Sequence, residues 1–104
     1  MPDLYRVIIL PRALKDLQEL FGFIEQQSLQ SAAGVAARII AAIDSLELLP
    51  HRHKVHASSR DPSRVVRSMQ VAPFILYYRT DDKRRLVRIL TIRHGARRQP
   101  KRFK

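Results

Sequence analysis

The chain of 104 residues contains no cysteine, which excludes disulfides and thiolate metal sites. Its longest apolar runs, at residues 7–10 and 74–78, are far shorter than a membrane span. The first residues lack the basic flank, apolar stretch and small-residue cleavage site of a signal peptide. We therefore expect one small cytoplasmic domain that makes no membrane contact and needs no cofactor.

Negative charge is scarce in the second half of the chain. Residues 51–104 contain sixteen basic side chains and three acidic ones, and residues 83–104 contain no carboxylate. Residues 1–50 contain four basic side chains against six acidic ones, so the net charge of +11 comes from one half of the molecule. This distribution favours an anionic partner, either nucleic acid, a ribonucleoprotein or an acidic protein.

The hydrophobic pattern predicts an α+β fold with the element order β-α-α-β-β-β. An apolar, β-branched stretch at residues 4–10 predicts the first strand, and Pro11 is suited to the first turn of a helix. Two stretches with apolar residues three and four apart predict a helical hairpin, in which Ser28 or Ser31 caps the second helix and Pro50 ends it. Strands at residues 64–71, 74–80 and 85–93 would complete a mostly antiparallel sheet with the N-terminal hairpin packed on one face.

Three local expectations follow from the same pattern. The apolar stripe of the first helix is predicted to comprise Leu14, Leu17, Leu20, Phe21 and Ile24, and that of the second Val35, Ile39, Ile43 and Leu46. The polar, basic residues 51–62 show no periodicity and are predicted to form a loop. Of the adjacent Tyr77 and Tyr78, one should face the core and the other should face outward.

The segment Arg93-His94-Gly95-Ala96-Arg97-Arg98 at the end of the last strand has the clearest chemical potential. Guanidinium groups can clamp phosphates or carboxylates with paired hydrogen bonds, and the His94 imidazole can exchange a proton near neutral pH. Arg67 shares a strand face with apolar neighbours, so it is either an anion ligand or an outward residue. We place a single domain at residues 1–96 and a basic C-terminal tail at residues 97–104.

A metal site is not expected. His51, His53 and His56 have a spacing that could suggest one, but Arg52 and Lys54 between them would repel a cation. No cysteine or carboxylate is close in sequence to complete a ligand set. We interpret the segment as a basic loop that contacts a polyanion.

The ordered set of motifs resembles the RelE/ParE superfamily of toxins from bacterial type II toxin–antitoxin pairs. The resemblance runs from about Tyr5 to Arg98 and rests on Pro-Arg-Ala-Leu-Lys-Asp-Leu at residues 11–17, Leu-Leu-Pro at 48–50, Val66-Arg67, Phe-Ile-Leu-Tyr-Tyr-Arg at 74–79 and the long apolar strand that ends in His94-Gly95-Ala96-Arg97-Arg98. It implies a compact toxin that a cognate antitoxin wraps and neutralises, with the outer surface of the helical hairpin as a candidate docking site. It also implies that the complex contacts DNA through the antitoxin.

The superfamily has two branches with different targets. RelE-like members are ribosome-dependent mRNA endonucleases, and in this chain His94, Tyr78, Lys54 and Arg67 would supply that chemistry. ParE-like members trap the cleaved-DNA complex of DNA gyrase. The ending His94-Gly95-Ala96-Arg97 resembles ParE, and Phe74 is followed by Ile75 where nuclease members often carry arginine.

We therefore predict a ParE-like inhibitor of gyrase that is not an enzyme in its own right. Its departures from ParE are Arg98, where aspartate is common, and the basic extension to Lys104. The alternatives are the ribosome-dependent endonuclease and a plain nucleic-acid-binding module. The residues predicted to bind the target are Arg67, Arg93, His94, Arg97 and Arg98.

Overall fold

The computed structural model describes residues 4–95, which form one five-stranded sheet and two α-helices. Short 3-10 helices at Pro50–Arg52 and Pro62–Arg64 flank the second strand. The predicted domain boundary after residue 96 and the predicted basic tail at residues 97–104 lie outside the described residues. The elements are β1 (Arg6–Ile9), α1 (Pro11–Glu25), α2 (Leu29–Ser45), β2 (Lys54–Ala57), β3 (Val66–Val71), β4 (Phe74–Asp81) and β5 (Leu86–His94).

The sheet has the strand order β1-β5-β4-β3-β2. β1 pairs with β5 in parallel, and every other pair is antiparallel. β5 lies between β1 and β4, in agreement with a sequence that is apolar on both faces. The predicted α+β fold, with a helical hairpin on one face of a mostly antiparallel sheet, is confirmed.

Local sequence signals explain both helices. Pro11 occupies the first turn of α1, where its missing N–H has no helical partner to lose. The Ser28 hydroxyl caps α2 by accepting a hydrogen bond from the main-chain nitrogen of Ser31 at 3.2 Å, as predicted. Within residues 4–95, no helix is long and apolar enough to cross a membrane.

The helices bury one face each against the sheet. Ile39, Ile43 and Leu46 of the predicted α2 stripe are buried. In α1 the prediction was wrong for Leu14, which is 48% exposed, while Ala13 is completely buried in its place. Ala13 lies on the same face of the helix as Leu17, which follows it by four residues. Leu14 points about 100° away from that face.

Apolar residues cover both faces of the central strands. Tyr78, Val87 and Ile89 belong to the main core on the helix side, whereas Val66 and Tyr77 belong to a second cluster that includes Leu90. The two tyrosines therefore lie on opposite faces, but each is at most 1% exposed. The prediction that one of them faces outward was wrong, because this second cluster buries the other face.

The predicted loop at residues 51–62 contains a strand that the sequence did not reveal. β2 forms the edge of the sheet, with Lys54 opposite Ser68 and Val55 opposite Arg67. Three of its four residues are exposed, so main-chain pairing with β3 holds it rather than burial. An edge strand of this kind needs no alternation of apolar residues, and that explains why periodicity did not identify it.

Candidate functional site

Residues 93–95, the described part of the predicted C-terminal segment, approach helix α1 at the end of the sheet where β4 begins and β5 ends. His94 lies opposite Phe74 in the β4–β5 pair. A cavity of about 570 Å³ opens between these strand ends and α1, and we call it the strand-end cavity. It is lined by basic, acidic and apolar side chains, namely Arg12, Asp16, Glu19, Leu20, Phe23, Phe74, Ile92, Arg93 and His94.

Asp16 fixes the helical wall of the strand-end cavity to β5. One carboxylate oxygen accepts hydrogen bonds from the Thr91 hydroxyl and, at 3.2 Å, from the main-chain nitrogen of Ile92. The other oxygen accepts from Arg12 Nε at 3.3 Å. Because the Asp16 side chain is only 15% exposed, these bonds are largely shielded from water. Asp16 was not among the predicted site residues, since its partners are 75 and 76 positions away in sequence.

The floor of the strand-end cavity is aromatic. The His94 ring packs edge-on against the Phe74 ring, with centroids 5.6 Å apart. The following Gly95 donates its main-chain N–H to the Pro73 carbonyl at 2.8 Å, and a Cβ atom at position 95 would lie 3.1 Å from that carbonyl oxygen. Glycine thus permits the close approach of the two segments beside His94.

The Arg93 side chain points away from His94, to the opposite face of the sheet, because Arg93 lies opposite Ile75, which packs against the second cluster. Its Nε atom is buried and has no hydrogen-bond partner within residues 4–95. A buried donor without an acceptor costs free energy that a bound anion could recover. Arg93 and His94 are the two predicted target-binding residues at the described end of β5, on opposite faces of the strand, and Arg97 and Arg98 lie outside the described residues.

Arg67 lies elsewhere and makes bonds within the protein. One of its terminal nitrogens donates to the main-chain carbonyls of His51 and His53, both at 2.9 Å. It sits opposite Tyr78 in the sheet, four residues along β4 from Phe74, or about 13 Å at the usual strand rise. Arg67 thus holds the first 3-10 helix against the sheet at a distance from the strand-end cavity.

The side chains expected for a ribonuclease do not form one cluster. The Tyr78 hydroxyl donates to the Pro50 carbonyl at 2.5 Å, and burial raises the pKa of Tyr78 to about 12, although the Arg67 and Arg52 charges oppose the rise. Lys54 lies on the exposed edge strand. His94 is at the other end of β4, beside Phe74. The geometry therefore provides no acid–base pair within hydrogen-bond reach of a common substrate atom among these residues.

The three histidines of residues 51–56 also take separate places. His51 Nε2 contacts the Asp82 carboxylate at 2.9 Å, while the His53 ring packs edge-on against Tyr78. Burial, and secondarily the charges of Arg52 and Arg67, lowers the pKa of His53 below its usual 6.5. Across residues 4–95, no three histidine or carboxylate side chains are close enough to hold a metal ion.

Arginines on the sheet face opposite the helices form a second basic region that the sequence analysis did not identify. Arg79 of β4 lies directly opposite Arg88 of β5. Arg88 was visible in the sequence as the one polar interruption of an apolar strand, but its pairing with Arg79 depends on the hairpin register. Both residues are half-buried.

Comparisons of the sequence with known proteins agree that the chain is similar to toxins of type II toxin–antitoxin systems. The family model described as the ParE toxin of the type II toxin–antitoxin system parDE matches residues 7–99. The protein Y4kP of Sinorhizobium fredii, named as a candidate toxin, is 36% identical over 93 residues, which make up 86% of each chain.

Three solved toxin–antitoxin structures have a similar architecture. The RelBE2 complex of Mycobacterium tuberculosis aligns with a TM-score of 0.61 at 24% identity, covering 90% of this chain and 94% of that chain. The archaeal RelE–RelB complex of Pyrococcus horikoshii gives 0.67 at 19% identity, covering 91% and 99%. The chromosomal ParDE system of P. aeruginosa gives 0.66 at 16% identity, covering 88% and 97%.

The fold is therefore of the RelE/ParE type, since the solved structures align over nearly the whole chain. The family model covers residues 7–99 and distinguishes the branch. The chain belongs to the ParE toxin family of type II toxin–antitoxin systems, which confirms the family resemblance seen in the sequence.

Proposed function

We propose that this ParE-family toxin acts on DNA gyrase, stabilises the cleaved-DNA complex of that enzyme and is neutralised by a cognate antitoxin. The observation that carries the proposal is the match to the ParE family over residues 7–99. In this proposal the protein works by binding and catalyses no reaction of its own.

The strand-end cavity supports a binding function. Arg93 and His94 line it, and Arg97 and Arg98 follow within four residues of sequence. The buried Arg93 Nε, which has no acceptor within residues 4–95, and the exposed His94 imidazole on the other face of the strand each suit a phosphate or a carboxylate of the target. We assign Arg93, His94, Arg97 and Arg98 to one target-binding surface, and Arg67 to a second contact at a distance from it.

The ribosome-dependent endonuclease is the weaker hypothesis. Its candidate residues His94, Tyr78 and Lys54 lie on different parts of the sheet, and the Tyr78 hydroxyl is committed to a buried carbonyl. A phenol with a pKa of about 12 is a poor base for a 2′-hydroxyl at neutral pH. A plain nucleic-acid-binding module would not be toxic, and the match to a toxin family argues against such a module.

The antitoxin is proposed to cover exposed apolar side chains of the helical hairpin. Such side chains are 48–74% exposed at four positions of α1 and α2, which is unfavourable in water unless a partner covers them. The net charge of +11 favours an acidic wrapping segment. We propose further that the complex contacts DNA through the antitoxin. The four positions are Leu14, Phe23, Leu29 and Ile40.

Expression in bacteria tests the proposal. Induction should block growth, produce broken chromosomal DNA and leave mRNA uncut at codon positions by primer extension. The Arg97→Ala/Arg98→Ala variant should lose toxicity at equal soluble expression while still binding the antitoxin. Arg38→Ala, a change at an exposed arginine of α2, is the matched control and should remain toxic.

Two outcomes would contradict the proposal. Codon-phased mRNA cuts that disappear in a His94→Ala variant would identify a ribonuclease instead. A fully toxic Arg97→Ala/Arg98→Ala variant would show that the C-terminal residues do not bind the target.

A further inference from the structure

One side of helix α1 lines the strand-end cavity instead of packing in the core. Its lining side chains recur at intervals of three or four residues, so they lie along one side of the helix. Ala13 and Leu17, which are buried in the core, occupy the neighbouring side. The sequence of α1 therefore provides two separate surfaces, one for folding and one for the cavity. The lining side chains are Arg12, Asp16, Glu19, Leu20 and Phe23.

Hydrogen bonds fix the walls of the strand-end cavity. Asp16 joins α1 to β5, because its carboxylate accepts from the Thr91 hydroxyl and from the main-chain nitrogen of Ile92. The Gly95 N–H donates to the Pro73 carbonyl at 2.8 Å, which joins the end of β5 to the start of β4. A partner that binds between walls already in place loses little free energy to ordering them.

The base of the strand-end cavity is apolar and its rim reaches solvent. Phe74 and Ile92 are buried at the base, and half-buried Leu20 packs against the same core. At the rim, Phe23 is 63% exposed and the Arg12 side chain is 65% exposed. A cavity of about 570 Å³ with an apolar base and a polar rim is suited to a bulky apolar side chain of a protein partner.

The charges around the strand-end cavity disfavour a phosphate as its occupant. In a protein of net charge +11, α1 contributes one cation to this cavity, Arg12, and two carboxylates, Asp16 and Glu19. Arg12 Nε lies 3.3 Å from the Asp16 carboxylate, so part of its charge is already balanced. Arg93 belongs to the lining strand, but its side chain points to the other face of the sheet. A phosphate here would meet the Glu19 charge and an apolar base, and both contacts are unfavourable.

We propose that the strand-end cavity binds a bulky apolar side chain from a protein segment of the target enzyme, with a neighbouring carboxylate of that segment on Arg12. The exposed guanidinium of Arg12 is complementary to such a carboxylate, and the aromatic rings of the cavity are complementary to the apolar side chain. The target is the occupant because His94 lines the cavity, and Arg97 and Arg98, which are assigned to target binding, follow it in sequence. This assignment rests on the proposed function and adds to it a protein contact separate from any contact with DNA.

Chemical-shift perturbation of the isotope-labelled, full-length toxin tests the strand-end cavity without any target. The probes are N-acetyltryptophanamide, N-acetyltryptophan, which adds a carboxylate, and inorganic phosphate, all at equal ionic strength. Both indole probes should shift the amide signals of Leu20, Phe23 and Ile92, whereas phosphate should leave these signals in place. N-acetyltryptophan should bind about threefold more tightly than the amide, and the Arg12→Gln variant should lose this difference.

A second experiment measures binding of the full-length toxin to immobilised gyrase in the absence of DNA. Phe23→Ala should weaken this binding about tenfold, because it removes an aromatic ring from the rim of the cavity. Leu48→Ala, at an apolar residue that is 40% exposed and lies outside the cavity, is the matched control and should change the affinity less than about twofold. Phe23 is largely exposed, so both variants should remain folded, and circular dichroism checks this.

Several results would overturn the proposal. Indole probes that leave the cavity signals unchanged would exclude an apolar occupant, and phosphate that shifts the same signals would identify an anion site. Equal gyrase affinities of the folded Phe23→Ala and Leu48→Ala variants would exclude the cavity from target binding. A Phe23→Ala variant that binds the antitoxin weakly but still inhibits gyrase fully would assign the cavity to the antitoxin. Failure of the unaltered toxin to bind gyrase, with the indole probes still bound in the cavity, would refute the gyrase proposal separately.

Discussion

Asp16→Ala should lower the free energy of unfolding by about 2–3 kcal/mol, because it leaves two donors of β5 without an acceptor. Those donors are the Thr91 hydroxyl and the Ile92 main-chain N–H, and both residues are less than 10% exposed. A buried donor that loses its partner costs about 1–3 kcal/mol. We take about 1–1.5 kcal/mol for each donor, the lower end of that range, because the adjacent strand-end cavity can admit water. The Arg12 ion pair adds little, since the Arg12 side chain is 65% exposed.

Urea denaturation followed by circular dichroism measures the change, with an unchanged dependence on urea concentration as evidence of a two-state comparison. Asp44→Ala, at an exposed aspartate of α2, is the matched control and should stay within about 0.5 kcal/mol of the unaltered protein. In a Thr91→Val background, Asp16→Ala should cost less by about 1 kcal/mol, because one of the two orphaned donors is already gone. A loss below about 0.5 kcal/mol, or strictly additive effects, would refute the argument that Asp16 fastens α1 to β5.

Three further changes test the attachment of residues 50–53 to the sheet. Tyr78→Phe should lower the free energy of unfolding by about 1–2 kcal/mol, because the buried Pro50 carbonyl loses its hydrogen-bond donor. In an absorbance titration of the variant, the phenol that ionises near pH 12 should be absent. Arg67→Ala should lower stability by a similar amount of about 1–2 kcal/mol by freeing two carbonyls, and unchanged stability would contradict the assigned contacts. The pKa of His53 is lower in the folded protein than its usual value of 6.5 in the unfolded chain. As the pH falls from 6.5 through the folded-state pKa, the unfolded chain takes up a proton more readily than the folded protein, and the free energy of unfolding decreases. Between about pH 7.5 and 5 the unaltered protein should therefore lose more stability than a His53→Gln variant, and equal losses would contradict that shift.

The helical hairpin could be predicted because its signals are local. Pro11, the Ser28 cap and the spacing of Ile39, Ile43 and Leu46 all act within a few residues of the chain. The same kind of signal misplaced Leu14, because apolar character alone does not say whether Ala13 or Leu14 faces the sheet.

Features that depend on distant partners could not be predicted in this way. β2 is held by main-chain pairing with β3, and Tyr77 is buried by residues that are remote in sequence. At the site, Arg93 and His94 were found because they are contiguous, whereas Asp16 acts on a strand 75 residues away. The pairing of Arg79 with Arg88 likewise requires the register of the β4–β5 hairpin.

The most direct test of the proposed function uses purified toxin, gyrase, ATP and relaxed plasmid, with the DNA resolved after detergent and protease treatment. We expect linear or nicked plasmid to accumulate and supercoiling to decline, and the antitoxin should prevent both. Normal supercoiling without cleaved DNA at a large molar excess of folded toxin would contradict gyrase as the target.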